Sequence, residues 1–392
     1  MDTLHTVLNR GRSVWDQARL PEDEFRRRLG AIRAGMKERS VDLLLVYGDS
    51  WKYGNLAYVS HFIPKNRGAL AVIPMEGEPA LVIQEPSRNN PFSSTLTWIQ
   101  EVHSVGKFAQ GVGEALKVRS LKPKRLGVVS VEQQLNIREW RELGKLFEAV
   151  EWRDLGDHFN TLRRVKSEVE LSLLTQTIRI LEEALAVFRK NGSPGQKEYE
   201  IAAEIERAAR RLGVEDFRLL LARSGQPEIG LRPAGDSPLK KGEAILVLAA
   251  ASYQRYWAEL GQTFCLGRPP DDVVKSYDVA ARAFRRLVEG IKTGVSPAVA
   301  ATACLNEVSS PAARNSLQAY GLGNGSGLDL CEEPVLGKEG NGAITPGMVL
   351  TLRTCFTGKE CGSAFISRPY LVAQSGLDAL SRIDDKLVTI GD

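Results

Sequence analysis

The sequence predicts an α+β protein of two domains, residues 1–160 and residues 161–392, divided between Asp154 and Arg164. Three observations carry that prediction. Apolar runs of strand length alternate with helical stretches through the first part of the chain. Beyond Ser167 the texture changes: long amphipathic helices precede runs of period-two alternation, and this order occurs twice. The length of 392 residues suits two domains of ordinary size.

In the first part, Pro21 to Glu38 has helical periodicity and Val41 to Tyr47 reads as a buried strand ended by Gly48-Asp49. Ala69 to Pro74 and Ala80 to Ile83 read as strands joined by a turn at Glu76-Gly77-Glu78. Leu126 to Ser130 is a further strand, followed by a helix from Glu132 to Phe147. In the second part Ser167 caps a helix running to Lys190, with Glu170 placed for a capping box. Asn191-Gly192 ends that helix, and Ser193-Pro194 starts the next, which runs to Arg211. Strands are expected at Phe217 to Arg223, Ala244 to Ala251 and Tyr253 to Cys265. A helix over Asp271 to Lys292 and another after Ser296 precede strands at Met348 to Phe356 and Phe365 to Ala373. Two similar halves facing each other would follow.

Composition excludes several classes. With 52 basic and 48 acidic residues the net charge is +4, and the charges are interspersed, so no nucleic-acid partner is expected. Arg26-Arg27-Arg28 and Arg210-Arg211 share helices with Glu22, Glu24 and Glu206 and read as solvated faces. Five cysteines without paired spacing point to a reducing compartment. Met1 to Trp15 holds no continuous apolar run and nothing reaches 18 apolar residues, so neither a signal peptide nor a membrane span is expected. The expected location is cytoplasmic.

The informative motifs lie in the second part: Leu162-Arg163-Arg164-Val165-Lys166-Ser167-Glu168-Val169-Glu170; Ser224-Gly225 followed by Leu239-Lys240-Lys241-Gly242-Glu243; Tyr253-Gln254-Arg255-Tyr256-Trp257-Ala258-Glu259 with Gln262-Thr263-Phe264; Gly325-Ser326-Gly327 through Cys331-Glu332-Glu333-Pro334; and Thr345-Pro346-Gly347-Met348-Val349-Leu350. Taken in this order, they resemble the creatinase/prolidase/aminopeptidase P family, a peptidase M24-like group with the pita-bread fold. Arg67 and the strand Ala69 to Pro74 are similar to the creatinase-type N-terminal domain. The resemblance implies a pita-bread C-terminal domain, an α/β creatinase-type N-terminal domain and a homodimer.

Members of that family usually bind two divalent ions with two Asp, one His and two Glu, donors suited to hard or borderline cations. At the matching positions this chain has Leu248, Glu259, Asn324, Arg353 and Ser367. One carboxylate remains, and Arg353 brings a fixed positive charge. The resemblance is therefore to a metal-ligand-deficient member, similar to creatinase and ectoine hydrolase, with no metal and no cofactor expected. The His position of creatinase falls near Arg232. The four histidines, His5, His61, His103 and His158, all precede the second domain or lie at its edge.

Period two places Val349, Thr351, Arg353 and Cys355 on one face of their strand, and Met348, Leu350, Leu352, Thr354 and Phe356 on the other. An inward Arg353 pairs with Glu259 or Glu332, or clamps a substrate carboxylate or phosphate. Arg232, Arg255 and Arg368 are candidates to join it in an anion-selective cleft, or else surface residues. Glu259 is the candidate acid/base. Asn324 is a candidate substrate contact. Tyr253 and Tyr256 sit on the hairpin beside Glu259, one as core and one with its hydroxyl toward ligand. Cys331 stands where the family places a second His, as an inert thiol or a catalytic group. In creatinase-like dimers the N-terminal domain reaches the partner's cleft, which makes Phe62 and Arg67 substrate-contact candidates and His61 a candidate imidazole in trans.

The expected activity is that of a metal-independent hydrolase of C–N bonds, or a lyase or isomerase, acting on a small anionic molecule. Two other readings stand beside it. One is a non-catalytic pita-bread protein that binds a peptide or protein partner, and the other is an ordinary metallo-aminopeptidase with the motifs aligned differently.

Overall fold

A computed structural model describes residues 11, 13–65, 67–337 and 342–391; His5 and most of the run from Met1 to Trp15 lie outside them. The chain divides into two compact units, one ending at Arg163 and the other beginning at Arg164. Among the described residues no helix is long and apolar enough to cross a membrane.

The first unit contains, in chain order, α1 (Glu22–Glu38), β1 (Leu43–Asp49), α2 (Gly54–Ser60), β2 (Gly68–Pro74), β3 (Ala80–Ile83), α3 (Asn90–Ser93), β4 (Glu101–Ser104), α4 (Phe108–Val118), β5 (Arg125–Val129), α5 (Val131–Gln134), α6 (Ile137–Leu146), β6 (Glu151–Asp154) and α7 (Gly156–Arg164). Its six-stranded sheet has the order β4-β3-β2-β1-β5-β6. The pairs β1–β2 and β2–β3 are antiparallel, whereas β4, β5 and β6 each join in parallel. Gly77, at φ +87°, makes the tight β2–β3 turn that the sequence predicts. One face of the sheet packs Leu45, Val72, Val82 and Val128 against Phe108 and Val112 of α4 and Leu143 of α6. The helix expected over Glu132 to Phe147 is two helices. The Asn136 side chain accepts the N–H of Glu139 at 3.1 Å and so starts α6 afresh.

The second unit contains α8 (Glu168–Asn191), α9 (Glu198–Arg211), β7 (Asp216–Arg223), β8 (Ala244–Tyr253), β9 (Tyr256–Leu266), α10 (Asp271–Gly290), α11 (Pro297–Asn306), α12 (Pro311–Tyr320), β10 (Gly323–Gly325), β11 (Glu332–Leu336), β12 (Val349–Gly358), β13 (Gly362–Ala373), β14 (Gly376–Ala379) and β15 (Val388–Ile390). The main path of its sheet runs β11-β10-β12-β13-β9-β8-β7, with β14 on β13 and β15 on β9. The capping box that starts α8 is present: Ser167 Oγ accepts the Glu170 N–H at 3.2 Å, and the Glu170 carboxylate accepts the Ser167 N–H at 3.0 Å.

Helix α9 begins four residues later than Ser193-Pro194 suggests. Gly195, at φ +89°, instead forms a turn whose N–H donates to Leu239 O at 2.8 Å, and Glu200 receives the Lys197 N–H at 2.8 Å. A backbone partner across the chain therefore overrides the proline signal.

Helices followed by antiparallel strands do occur twice. Helices α8 and α9 cover β7–β9 through Ile178, Leu181, Ile201, Val247, Leu260 and Phe264. Helices α10 to α12 cover β12 and β13 through Phe284, Leu287, Leu317, Leu350, Leu352 and Ile366. Thr354 also lies on that side, its hydroxyl donating to Ala280 O at 3.2 Å. The alternation read along β12 is therefore the alternation found, and it leaves Arg353 and Cys355 on the face turned away from the helices.

Candidate active site

Two rows of cross-strand partners cross that uncovered face. Leu220, Leu248, Gly261, Ser367 and Arg353 follow one another across β7, β8, β9, β13 and β12. Arg218, Ala250 and Glu259 form the second row, across β7, β8 and β9. Adjacent strands lie about 4.8 Å apart, so residues in one row, or diagonal between rows, can touch. Gly261 lets the Phe365 ring approach closely: that ring lies 2.2 Å from where a Cβ would stand.

Four side chains on this face are joined. Ser367 Oγ donates to Glu259 Oε1 at 2.7 Å. Arg353 Nε lies 3.3 Å from the same oxygen, an ion pair without the alignment of a hydrogen bond. Arg353 Nη2 donates to Asn324 Oδ1. Asn324 is held in turn by its own Nδ2, which donates to Gly325 O at 2.8 Å and Leu330 O at 3.1 Å. Glu259 and Asn324 are buried, and the Arg353 side chain keeps 17% of its surface. Among the described residues, Nη1 of Arg353 has no hydrogen-bond partner.

Cys331 is exposed and lies within electrostatic range of Arg353 and Glu259. Local desolvation pushes its thiol above the usual range; Arg353 acts the other way, and Glu259, Asp329 and Glu332 add to the rise. It is a protonated thiol at neutral pH, which suits an inert group better than a nucleophile.

The other candidates are placed elsewhere, each for a physical reason. Arg255 is fully buried against Glu215, in ion-pair contact, and its φ of +71° makes it part of the β8–β9 turn. Arg232 gives its two terminal nitrogens to Glu198 at 2.6 and 2.9 Å. Arg368 alternates with Ser367 and is buried under the C-terminal segment. It bonds the carbonyls of Ile383 at 3.2 Å and Asp384 at 2.9 Å, and pairs with Asp385 at 3.1 Å. Of the four arginines considered for an anion-selective cleft, Arg353 is the one placed beside Glu259. Tyr256 faces the helices, donating to Glu170 Oε1 at 3.1 Å, and Tyr253 packs on the same side. Neither hydroxyl borders Glu259.

In the first unit His61 is buried at the end of α2, with φ +61° and its ring 5.9 Å from that of Phe25. That burial leaves no imidazole edge for another subunit's cleft. Phe62 is inaccessible core, and Arg67 is exposed.

Sequence reasoning missed three arrangements. Lys166 and Glu332 form a buried pair at 2.9 Å, although both stand inside quoted motifs. Glu215 is the partner of Arg255. The Arg218 guanidinium lies 4.8 Å from the centroid of the Trp257 ring. Period two along Phe217 to Arg223 carried the signal for Arg218, because Phe217 and Leu221 pack toward the helices.

A model of the metallopeptidase family M24 matches residues 172–374, and a model of the creatinase/prolidase N-terminal domain matches residues 28–165. The chain belongs to metallopeptidase family M24. Among curated members, a Xaa-Pro dipeptidase of Pyrococcus horikoshii is 24% identical over 366 residues, covering 90% of this chain and 96% of that protein. The crystal structure of the prolidase from Pyrococcus horikoshii OT3 superposes with a TM-score of 0.80 at 22% identity, over 92% of this chain and 100% of that one. The X-Pro aminopeptidase from Thermotoga maritima MSB8 gives a TM-score of 0.81 at 19% identity, over 92% and 99%. The fold is therefore a creatinase-type N-terminal domain followed by the M24 pita-bread domain. At family level the class of chemistry is hydrolysis of a C–N bond.

Proposed function

We propose that this M24 member hydrolyses a C–N bond in a small anionic substrate without a pair of divalent ions. The observation that supports this is the Arg353 guanidinium at ion-pair distance from Glu259. The positions that the family resemblance assigns to metal ligands are bonded to one another through Ser367, Glu259, Arg353 and Asn324. The fifth, Leu248, offers no donor and packs beside Cys355 and Phe365. A cation there would meet a fixed guanidinium charge and a single carboxylate. This donor set does not fit a dinuclear centre. Among the described residues, no group of three or more His, Cys, Asp or Glu could hold a metal ion.

Arg353 supplies what a metal would otherwise supply, a positive charge facing the reacting group. Its Nη1 binds the substrate's carboxylate or carbonyl oxygen, and it stabilises the oxyanion as the carbonyl becomes tetrahedral. Both recorded contacts of Glu259 fall on Oε1, which leaves Oε2 to take a proton from water. The hydroxide adds to the carbonyl carbon, the C–N bond breaks, and Glu259 returns the proton to the departing nitrogen. Ser367 holds the carboxylate in place throughout.

The test is a panel of N-acyl amino acids and dipeptides with anionic termini, assayed with EDTA-dialysed protein. Turnover that survives EDTA and falls at least about 100-fold in Glu259→Gln and Arg353→Gln supports the reading. Turnover that needs an added divalent ion, or that survives both substitutions, overturns it. Tight binding without turnover would make the face a binding site.

A further inference from the structure

We infer that Arg218, stacked on Trp257, is a second anion contact on the same face and selects substrates that carry negative charge at both ends. This rests on the reading of Arg353 given above and extends it from substrate charge to substrate shape.

Arg218 shares a row with Glu259, with Ala250 between them. The methyl side chain of Ala250 leaves that row open between the two charged groups. Leu221 and Phe217 to either side of Arg218 belong to the helix-side core, so Arg218 stands on the Glu259 side of the sheet. Its guanidinium lies 4.8 Å from the Trp257 ring centroid, and Trp257 is buried while Arg218 is exposed. A guanidinium over a buried indole is held by a contact that does not consume its N–H donors. Those donors are available to an anion that reaches the face. Among the described residues no carboxylate lies at ion-pair distance from Arg218. Arg223, Arg232, Arg255 and Arg368 of the same unit each sit on one.

Arg353 ends the row of Ser367 and Gly261 on β12, and Arg218 ends the neighbouring row of Ala250 and Glu259 on β7. Four strand spacings separate them, roughly 19 Å along the sheet before the two side chains lean inward. Glu259, on β9, lies between. A molecule of dipeptide size, with an anionic group at each end and the scissile C–N bond near its middle, matches that order of charges. An uncharged or singly charged amide of the same length leaves Arg218 without a partner.

The experiment is calorimetric titration of the full chain with dicarboxylates from glutarate to suberate, each beside the monocarboxylate of equal length. The expected result is at least about tenfold tighter binding of one or more dicarboxylates. Arg218→Gln removes that advantage, so that each dicarboxylate binds no more tightly than the monocarboxylate of equal length. Arg353→Gln weakens both series, and Arg353→Lys, which keeps the charge, restores part of the binding. A dicarboxylate advantage that persists in Arg218→Gln overturns this inference while leaving the Arg353 reading in place. Unchanged binding of both series in Arg353→Gln overturns the reading beneath it. Wild-type protein that binds neither series overturns both.

Discussion

Arg353 Nε and Ser367 Oγ converge on one oxygen of Glu259, at 3.3 and 2.7 Å, although the three residues come from three different strands. Removing the cation from such a buried group leaves the carboxylate short of a partner. Arg353→Gln should lower stability by about 3 kcal/mol in urea unfolding. The double variant Arg353→Gln, Glu259→Gln should recover part of that loss. Additive losses would show that the two side chains do not depend on each other.

Divalent ions should leave the melting temperature of the wild-type chain unchanged, because no ligand set among the described residues rewards their binding. The quadruple variant Leu248→Asp, Asn324→His, Arg353→Glu, Ser367→Glu keeps the same strand rows and restores hard-donor chemistry. It should gain a manganese- or zinc-dependent rise in melting temperature. A rise in the wild type under the same titration would contradict the proposed site.

Glu198 predicts the acid limb of stability. Burial raises its pKa, but the hydrogen bonds from Arg232, the Gly235 N–H and Arg223 outweigh that, and the net position is below the ordinary glutamate value of 4.5. A depressed folded pKa adds stability that is complete above 4.5 and is lost as pH falls toward the folded value. Glu198→Gln should therefore be less stable than wild type at neutral pH, by about 3 kcal/mol, with the gap closing below that value. Denaturant midpoints measured across the acid range decide it.

Cys331 should react as an ordinary protonated thiol. Its accessibility singles it out from Cys265, Cys304 and Cys355, which are buried. Iodoacetamide labelling at Cys331 should stay slow at neutral pH and accelerate only above 9.0, the ordinary thiol value, since desolvation holds the thiol higher. Mass spectrometry after timed labelling reads this directly. Fast labelling at neutral pH would mark an activated thiolate.

What could be read in the sequence, and what could not, follows from the range of each interaction. Local signals were dependable. The Ser167–Glu170 capping box, the Gly77 turn and the alternation along β12 are set by residues within a few positions of each other. Alternation puts Arg353 on the inward face of β12 and leaves Glu259, Glu332 or a substrate anion as its partner, and Glu259 is the one found. The arginines went astray for the opposite reason. Arg255 finds Glu215 forty positions away, Arg232 finds Glu198, and Arg368 finds the segment from Ile383 to Asp385. Side-chain partners at that separation leave no periodic trace. The tyrosines failed on parity: the turn at Gln254 and Arg255 carries Tyr253 and Tyr256 together to the helix side, away from Glu259.

Arg255 carries a lesson for anyone improving this protein. Glycine suits a backbone at φ +71° better than an arginine does. A redesign guided by backbone angles alone would place glycine there and expect a gain. Here the arginine is the counterion of a Glu215 that no solvent reaches, so the glycine would relax the turn and strand a charge inside the protein. A choice made on backbone comfort fails where the side chain neutralises a charge that water cannot reach.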